Sequence, residues 1–213
     1  MGESRSPARA ASARPGRQAA GRIGLVLAAT LALGVEGTCP GQHLGAGVAC
    51  DAGAAQAVEI GGASLFVKAP WKVDLISYYT TVGQPQPEYY LTLELDPDAG
   101  ASLASFSFQQ IRGADWQFPF SPQRTYAFLG RPRQQGKPVP VRASWDDRTR
   151  TMVVSFPEPV PPGSTITTVL IPWFNPMQSD TYLFQVVAFP SGPNPVGSTV
   201  GVGTLRIYQY SNW

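Results

Sequence analysis

The chain has 213 residues, 43% of them hydrophobic, with 22 Gly and 21 Pro spread along its length, and this composition suits one compact domain plus an extension. Its formal charge of +2 is uneven: Arg5, Arg9, Arg14, Arg17 and Arg22 precede an almost neutral remainder, with 11 Lys/Arg against 11 Asp/Glu from Val58 onward. A neutral domain has no electrostatic reason to bind nucleic acid or an anionic membrane surface.

Residues 1–57 are expected to form a leader. A basic stretch to Arg22 is followed by 13 uncharged residues, Ile23 to Val35. That is the length of the apolar part of a secretory signal and is too short for a membrane span, which takes about 20 residues. Ala55-Gln56-Ala57 supplies a small-x-small cleavage site. Cys39 follows Glu36-Gly37-Thr38 and Cys50 follows Gly47-Val48-Ala49, so neither fits a lipoprotein signal. The absence of a twin arginine favours the general export route. A periplasmic or extracellular protein with no transmembrane segment after cleavage is expected, and lipid anchoring is not. Cys39 and Cys50 can pair in an oxidising compartment, though around them there is little to pack.

From Val58 the hydrophobic pattern has period two. Strands are predicted at Ala63 to Lys68 and Glu88 to Leu95, the latter with Tyr89, Leu91, Leu93 and Leu95 inward and Tyr90, Thr92 and Glu94 outward. Asp96-Pro97-Asp98-Ala99-Gly100 is a turn. Ser102 to Ile111 is a strand with Ala104, Phe106 and Phe108 on its core face. Ser121 to Pro138, rich in Pro, Arg and Gln, is expected to be a long loop. A strand at Val139 to Trp145 joins one starting near Arg150, with Met152, Val154 and Phe156 inward, through an Asp146-Asp147-Arg148 hairpin. Pro157 to Gly163 is expected to be a stiff loop excluded from any sheet. Strands follow at Ser164 to Ile171, Thr181 to Phe189, which is apolar on both faces as an interior strand is, and Val200 to Tyr210. Strands at this spacing without helical stretches predict an all-β domain over 58–213, an antiparallel two-sheet β-sandwich of immunoglobulin-like type, with a β-barrel as the alternative.

Several landmarks in order carry a family resemblance from Tyr89 to Tyr210. They are Pro97 to Gly100 before Leu103, Gln110, Thr125 to Gly130, Pro159 to Thr165, Asn175-Pro176, Tyr182-Leu183-Phe184, Ala188 to Gly192 and Gly201-Val202-Gly203. Taken together, the chain resembles a family of secreted cyanobacterial proteins, domain of unknown function 2808. The resemblance implies export and assigns no activity or site residue. Ser179-Asp180 stands where the family usually has glycines, and Trp173-Phe174 where a more polar pair is usual.

His43 is the sole histidine, and nothing after Cys50 is His or Cys. If cleavage removes that stretch, a Ser-His-Asp triad, a Cys nucleophile, the usual zinc sites and His-ligated haem are excluded. No Gly-rich phosphate loop precedes a helix. No cofactor is implied. Carboxylates remain, and paired carboxylates hydrolyse glycosides. Glu94, Asp96, Asp98, Asp115, Asp146, Asp147 and Glu158 are the candidates, mostly in sequence where Asp serves a turn. Asp96 and Asp98 offer two oxygens to calcium with no third at loop spacing.

Aromatic residues give a more direct pointer. Trp71, Trp116, Trp145, Trp173 and Trp213, with the Tyr78-Tyr79 and Tyr89-Tyr90 pairs, are many for this length. An outward ring presents large apolar area to a sugar or protein at small entropic cost. Trp173 and Phe174 are the candidate binding residues, because neighbours at a strand end cannot both point inward. The competing reading packs both under adjoining loops. The expected function is therefore a non-catalytic binding or structural module of the cell envelope with a protein or glycan partner. The alternative is a carboxylate-based hydrolase acting on glycans.

Overall fold

The computed structural model describes residues 58–116 and 118–209; residues 1–57, with Cys39, His43 and Cys50, and also Trp213, lie outside the described residues. The described chain is all-β, its one helical element being a 3-10 turn at Pro122–Arg124. A small hairpin pairs β1 (Val58–Ile60) with β2 (Ala63–Leu65), and its turn is Gly61-Gly62 at φ of +61° and +80°. Two glycines suit this two-residue connection because both positions need positive φ.

The remaining strands form two antiparallel five-stranded sheets. The first contains β3 (Asp74–Ser77), β4 (Tyr89–Glu94), β6 (Tyr126–Arg131), β7 (Gln134–Val139) and β10 (Thr165–Leu170), in the order β3-β4-β10-β6-β7. The second contains β5 (Leu103–Arg112), β8 (Arg142–Asp146), β9 (Thr151–Val160), β11 (Asp180–Pro190) and β12 (Ser198–Ile207), in the order β12-β11-β5-β9-β8. Each sheet keeps two edges, so the fold is an antiparallel two-sheet β-sandwich of immunoglobulin-like type and not a closed barrel.

The core lies between the sheets, where alternation puts it. Tyr89, Leu91, Leu93, Ile166 and Leu170 from the first sheet meet Phe106, Phe108, Met152, Val154, Phe184 and Val186 from the second. Phe108 and Phe184 stack with ring centroids 4.4 Å apart, and Phe118 and Phe120 close one end of the core edge-on against Tyr182 and Tyr89. Such ring pairs add about 0.5–1.5 kcal/mol each beyond the area they bury.

The structure corrects several expectations. Ser121 to Pro138 is not a long loop: it carries the 3-10 turn and most of the β6–β7 hairpin, closed by Pro132 and by Arg133 at φ +68°. The β7 strand is an exposed edge with no buried face, so it carries no apolar alternation for a sequence pattern to detect. Pro157 and Pro159 fall inside β9. The β5–β9 register jumps there, from Ser105 opposite Ser155 to Leu103 opposite Val160, so the prolines occupy an irregularity where no ladder hydrogen bond is asked of them. The same jump takes Ala104 off the core face and puts Leu103 there instead. The expected Val139 to Trp145 strand is divided between β7 and β8. Tyr90 and Thr92, expected outward, are buried in a small second cluster on the outer face, where Tyr90 packs with Phe128 and Val169 and Thr92 hydrogen-bonds Thr167.

Candidate binding surface

The β3–β4, β5–β6, β8–β9 and β10–β11 connections and the C-terminal end of β12 emerge at the same end of the sandwich, as the pairings Ser77–Tyr89, Leu183–Arg112, Asp146–Thr151 and Asp180–Ile207 require. Cross-loop hydrogen bonds join the two sheets at this end. The Val82 amide donates to the Tyr208 carbonyl (2.9 Å) and the Tyr208 amide to the Thr80 carbonyl (2.8 Å).

Asn175 is the centre of that lattice. It is 1% exposed. Its Oδ1 accepts the Tyr89 hydroxyl at 2.6 Å, and its Nδ2 donates to the carbonyls of Tyr79 (2.9 Å) and Thr81 (2.7 Å). Its backbone amide donates to Gln84 (2.8 Å), while the Trp173 amide donates to Pro119 (3.3 Å) and the Gln86 amide to the Trp173 carbonyl (2.9 Å). One buried amide thus ties the β10–β11 loop to the β3–β4 loop, and the backbone under Trp173 and Phe174 is fixed before any partner arrives. The Asn175-Pro176 pair is visible in the sequence as a landmark, yet nothing local marks Asn175 as the hub, since its side-chain partners lie 86 or more residues away.

On this frame Trp173 is 48% exposed and Phe174 51%. Tyr78, Tyr79, Trp116, Tyr126 and Tyr208 are also exposed at this end, together with Met177 at 67%. Trp71, 80% exposed on the β2–β3 connection, stands apart from them. Trp145 is half-buried, with its ring on Phe120 and its Nε1 donating to Asp147 at 2.6 Å. The Tyr89-Tyr90 pair is buried. Sequence reasoning missed the arginines beside these rings: Arg124 lies 5.3 Å from the Trp173 ring centroid, Arg150 3.6 Å from Trp116 and Arg206 5.7 Å from Tyr208.

Most of the carboxylates weighed for hydrolysis have local structural tasks. Glu94 pairs with Arg131, which also reaches Asp74. Asp96 and Asp98 face the Lys68 ammonium at 3.6 and 2.7 Å, so a cation already occupies the place considered for calcium. The hydrogen bond with Asp98 holds the Lys68 pKa above its ordinary value and that of Asp98 below its own. Asp146 accepts the Arg148 amide at 2.8 Å, which lowers its pKa. Asp115 accepts the Met177 amide at 3.0 Å. Glu158 lies exposed in the β9 irregularity. Among the described residues no group of three or more His, Cys, Asp or Glu could hold a metal ion. Nor is any helix among them long and apolar enough to cross a membrane.

A family described as protein of unknown function, DUF2808, matches residues 63–207, most of the chain and nearly all of the described β-sandwich. The chain belongs to this family. No curated protein matches the DUF2808 chain. Among solved structures it is similar to a DUF4466 family protein from Parabacteroides merdae, at 15% identity and TM-score 0.42, covering 64% of this chain and 44% of that one. It is also similar to the collagen-binding domain of a Staphylococcus aureus adhesin, at 6% identity and TM-score 0.37, covering 66% of this chain and 99% of that one. Domains D2 and D3 of the major pilin SpaD from Corynebacterium diphtheriae match at 12% identity and TM-score 0.41, over 62% of this chain and 51% of that one. The DUF2808 chain therefore spans less than half of the first of these proteins.

Proposed function

We propose that this chain is an exported, non-catalytic binding or structural module of the cell envelope, and that the aromatic loop end is its contact surface, with Trp173 and Phe174 at the centre. One observation carries the reading: two adjacent large aromatic side chains are both about half exposed on a backbone held in place by Asn175 and by hydrogen bonds to Gln84, Gln86 and Pro119. Rings ordered before binding lose little entropy when a partner covers them. The partner is a protein or a glycan of the envelope. The basic leader with its short apolar run supports a periplasmic or extracellular location without a lipid anchor.

The test is a glycan array and an envelope pull-down with the purified protein, repeated with Trp173→Ala and Phe174→Ala. Each variant is expected to lose the interactions that the parent makes while keeping its thermal stability. Interactions left intact in both variants would exclude this surface. N-terminal sequencing of the protein from its host checks export, and an uncleaved Met1 would count against it.

A further inference from the structure

We infer that the aromatic end takes an acidic glycan, with Trp173, Phe174 and Trp116 covering sugar-ring faces and Arg124 and Arg150 receiving the sugar carboxylates; this rests on the reading above that this end is the contact surface. The loops concerned adjoin. The Met177 amide donates to the Asp115 carboxylate (3.0 Å), Trp173 bonds Pro119, and Phe120 bridges Pro172, so the segments bearing Trp116 and Arg124 run beside the one bearing Trp173 and Phe174.

The charges at this end are unequally satisfied. Among the described residues, ion pairs are confined to Lys68 and Arg131, so Arg124, Arg150 and Arg206 rest on aromatic rings with no carboxylate beside them. Arg124 and Arg150 are half-buried, and a guanidinium carries five donors and no acceptor in a fork that fits a carboxylate, so their solvent-facing N–H groups can receive one from a ligand. The acidic side chains of the same end are occupied by local donors. Asp147 takes the Trp145 indole, Asp146 the Arg148 amide, Asp180 the Ala114 amide, and Glu88 the hydroxyls of Tyr90 and Tyr126. These carboxylates, and Asp115 on the Met177 amide, keep their charge but are turned toward neutral donors, so none is paired with Arg124, Arg150 or Arg206, and a ligand carboxylate placed at those guanidinium groups displaces no ion pair.

An acidic protein segment is the competing occupant. Peptides recognised in an extended form add to a free strand edge through main-chain hydrogen bonds. Here the main chain at Trp173 and Asn175 is already bonded to Pro119, Gln84 and Gln86, and offers no ladder. Ring faces and guanidinium groups remain, and these fit a chain of carboxylated pyranose sugars, which lay their C–H faces on aromatic rings.

The experiment measures binding of the full-length protein by calorimetry to polygalacturonate, to alginate and to fully methyl-esterified polygalacturonate, which keeps the backbone and loses the charge. At least one of the two acidic polymers is expected to bind about tenfold tighter than the ester, a difference of about 1.4 kcal/mol, and to weaken as salt is raised. Arg124→Gln and Arg150→Gln are expected to remove that preference without changing binding to the ester, whereas Trp173→Ala weakens both. Equal affinity for acid and ester overturns the acidic-glycan inference and leaves the contact surface standing. Acid binding that is indifferent to Trp173→Ala and Phe174→Ala sinks the surface itself. Binding to none of the three polymers also overturns the inference; Trp173-dependent binding of a poly-glutamate probe would then assign the same surface to an acidic protein. A melting temperature within about 2 °C of the parent, for a domain this size a change under about 1 kcal/mol, shows that a variant still folds.

Discussion

Asn175 offers the sharpest test of how this end is built. Replacing it with Ala removes one acceptor and two donors at a position that is 1% exposed, leaving the Tyr89 hydroxyl and the Tyr79 and Thr81 carbonyls without their partner. Each buried polar group left unpaired costs about 1–3 kcal/mol, and because the three share one site their sum is smaller than threefold, so a loss of about 3–5 kcal/mol is expected. Tyr89→Phe breaks only the 2.6 Å bond and should cost about 1–2 kcal/mol, with the double variant costing less than the two singles together. Urea unfolding followed by tryptophan fluorescence reads these values, and an unchanged slope shows that the folded and unfolded states keep their surface areas. Asn175→Asp adds a pH signature. Its carboxylate keeps the Tyr89 bond but turns an oxygen toward two carbonyls, so the charged form is disfavoured and the folded-state pKa rises above the unfolded one. A group of that kind contributes stability that is present at low pH and lost as pH rises through its folded value, so this variant should recover part of its deficit on acidification. An Asn175→Ala cost below about 1 kcal/mol, comparable to a surface substitution, would refute the assignment of Asn175 as the hub.

Three further outcomes are expected. Gly113 sits at φ +147°, and a Cβ there would lie 2.1 Å from Tyr182 Cδ1, so Gly113→Ala should destabilise the domain by about 2–4 kcal/mol in the same urea assay. Phe184→Ala removes the ring stacked at 4.4 Å on Phe108 and should cost about 3–5 kcal/mol, with a midpoint shift large enough to read by calorimetry. Burial pushes the Tyr182 phenol up to about 12 and raises Tyr89 as well. An acid whose folded pKa is raised contributes stability that is complete below its unfolded value, about 10, and lost as pH climbs toward the folded one. Alkaline unfolding should therefore set in above pH 10, with the last phenolate absorbance at 295 nm appearing together with loss of near-ultraviolet ellipticity; full ionisation of a still-folded protein would contradict this.

The strands legible in the sequence are those with a buried inner face. Met152, Val154 and Phe156 alternate because β9 lies against the core, and in β11 Tyr182, Phe184, Val186 and Ala188 are buried while Leu183, Val187 and Phe189 lie half-buried on its outer face. β7 was illegible because an exposed edge strand of Gln, Gly, Lys and Pro has no packing to encode. Ala104 leaves the core face because the register jump between Leu103 and Ser105 breaks the two-residue period. Trp173 and Phe174 were legible as a candidate site through local sterics alone, since adjacent side chains at a strand end diverge. The arginines were not, because Arg150 finds Trp116 and Arg124 finds Trp173 only once distant loops are brought to one end of the sandwich.

The same loop carries the residue that the fold requires and the residues that it does not. Asn175 is buried and joins three segments, so the packing of this end depends on it. Trp173 and Phe174, immediately before it, leave about half their surface in water and take no part in the main core. A loop shaped only by stability would place polar side chains at those two positions, because exposed rings gain little from folding and invite association. Stability and contact are therefore separable at neighbouring residues. Substituting Asn175 should weaken the fold and disorder the rings together, whereas substituting Trp173 should leave unfolding unchanged and alter only what the surface holds. A Trp173→Ala variant that unfolds at appreciably lower urea would assign the ring to packing under its neighbouring loops and remove the reason for treating this end as a contact surface.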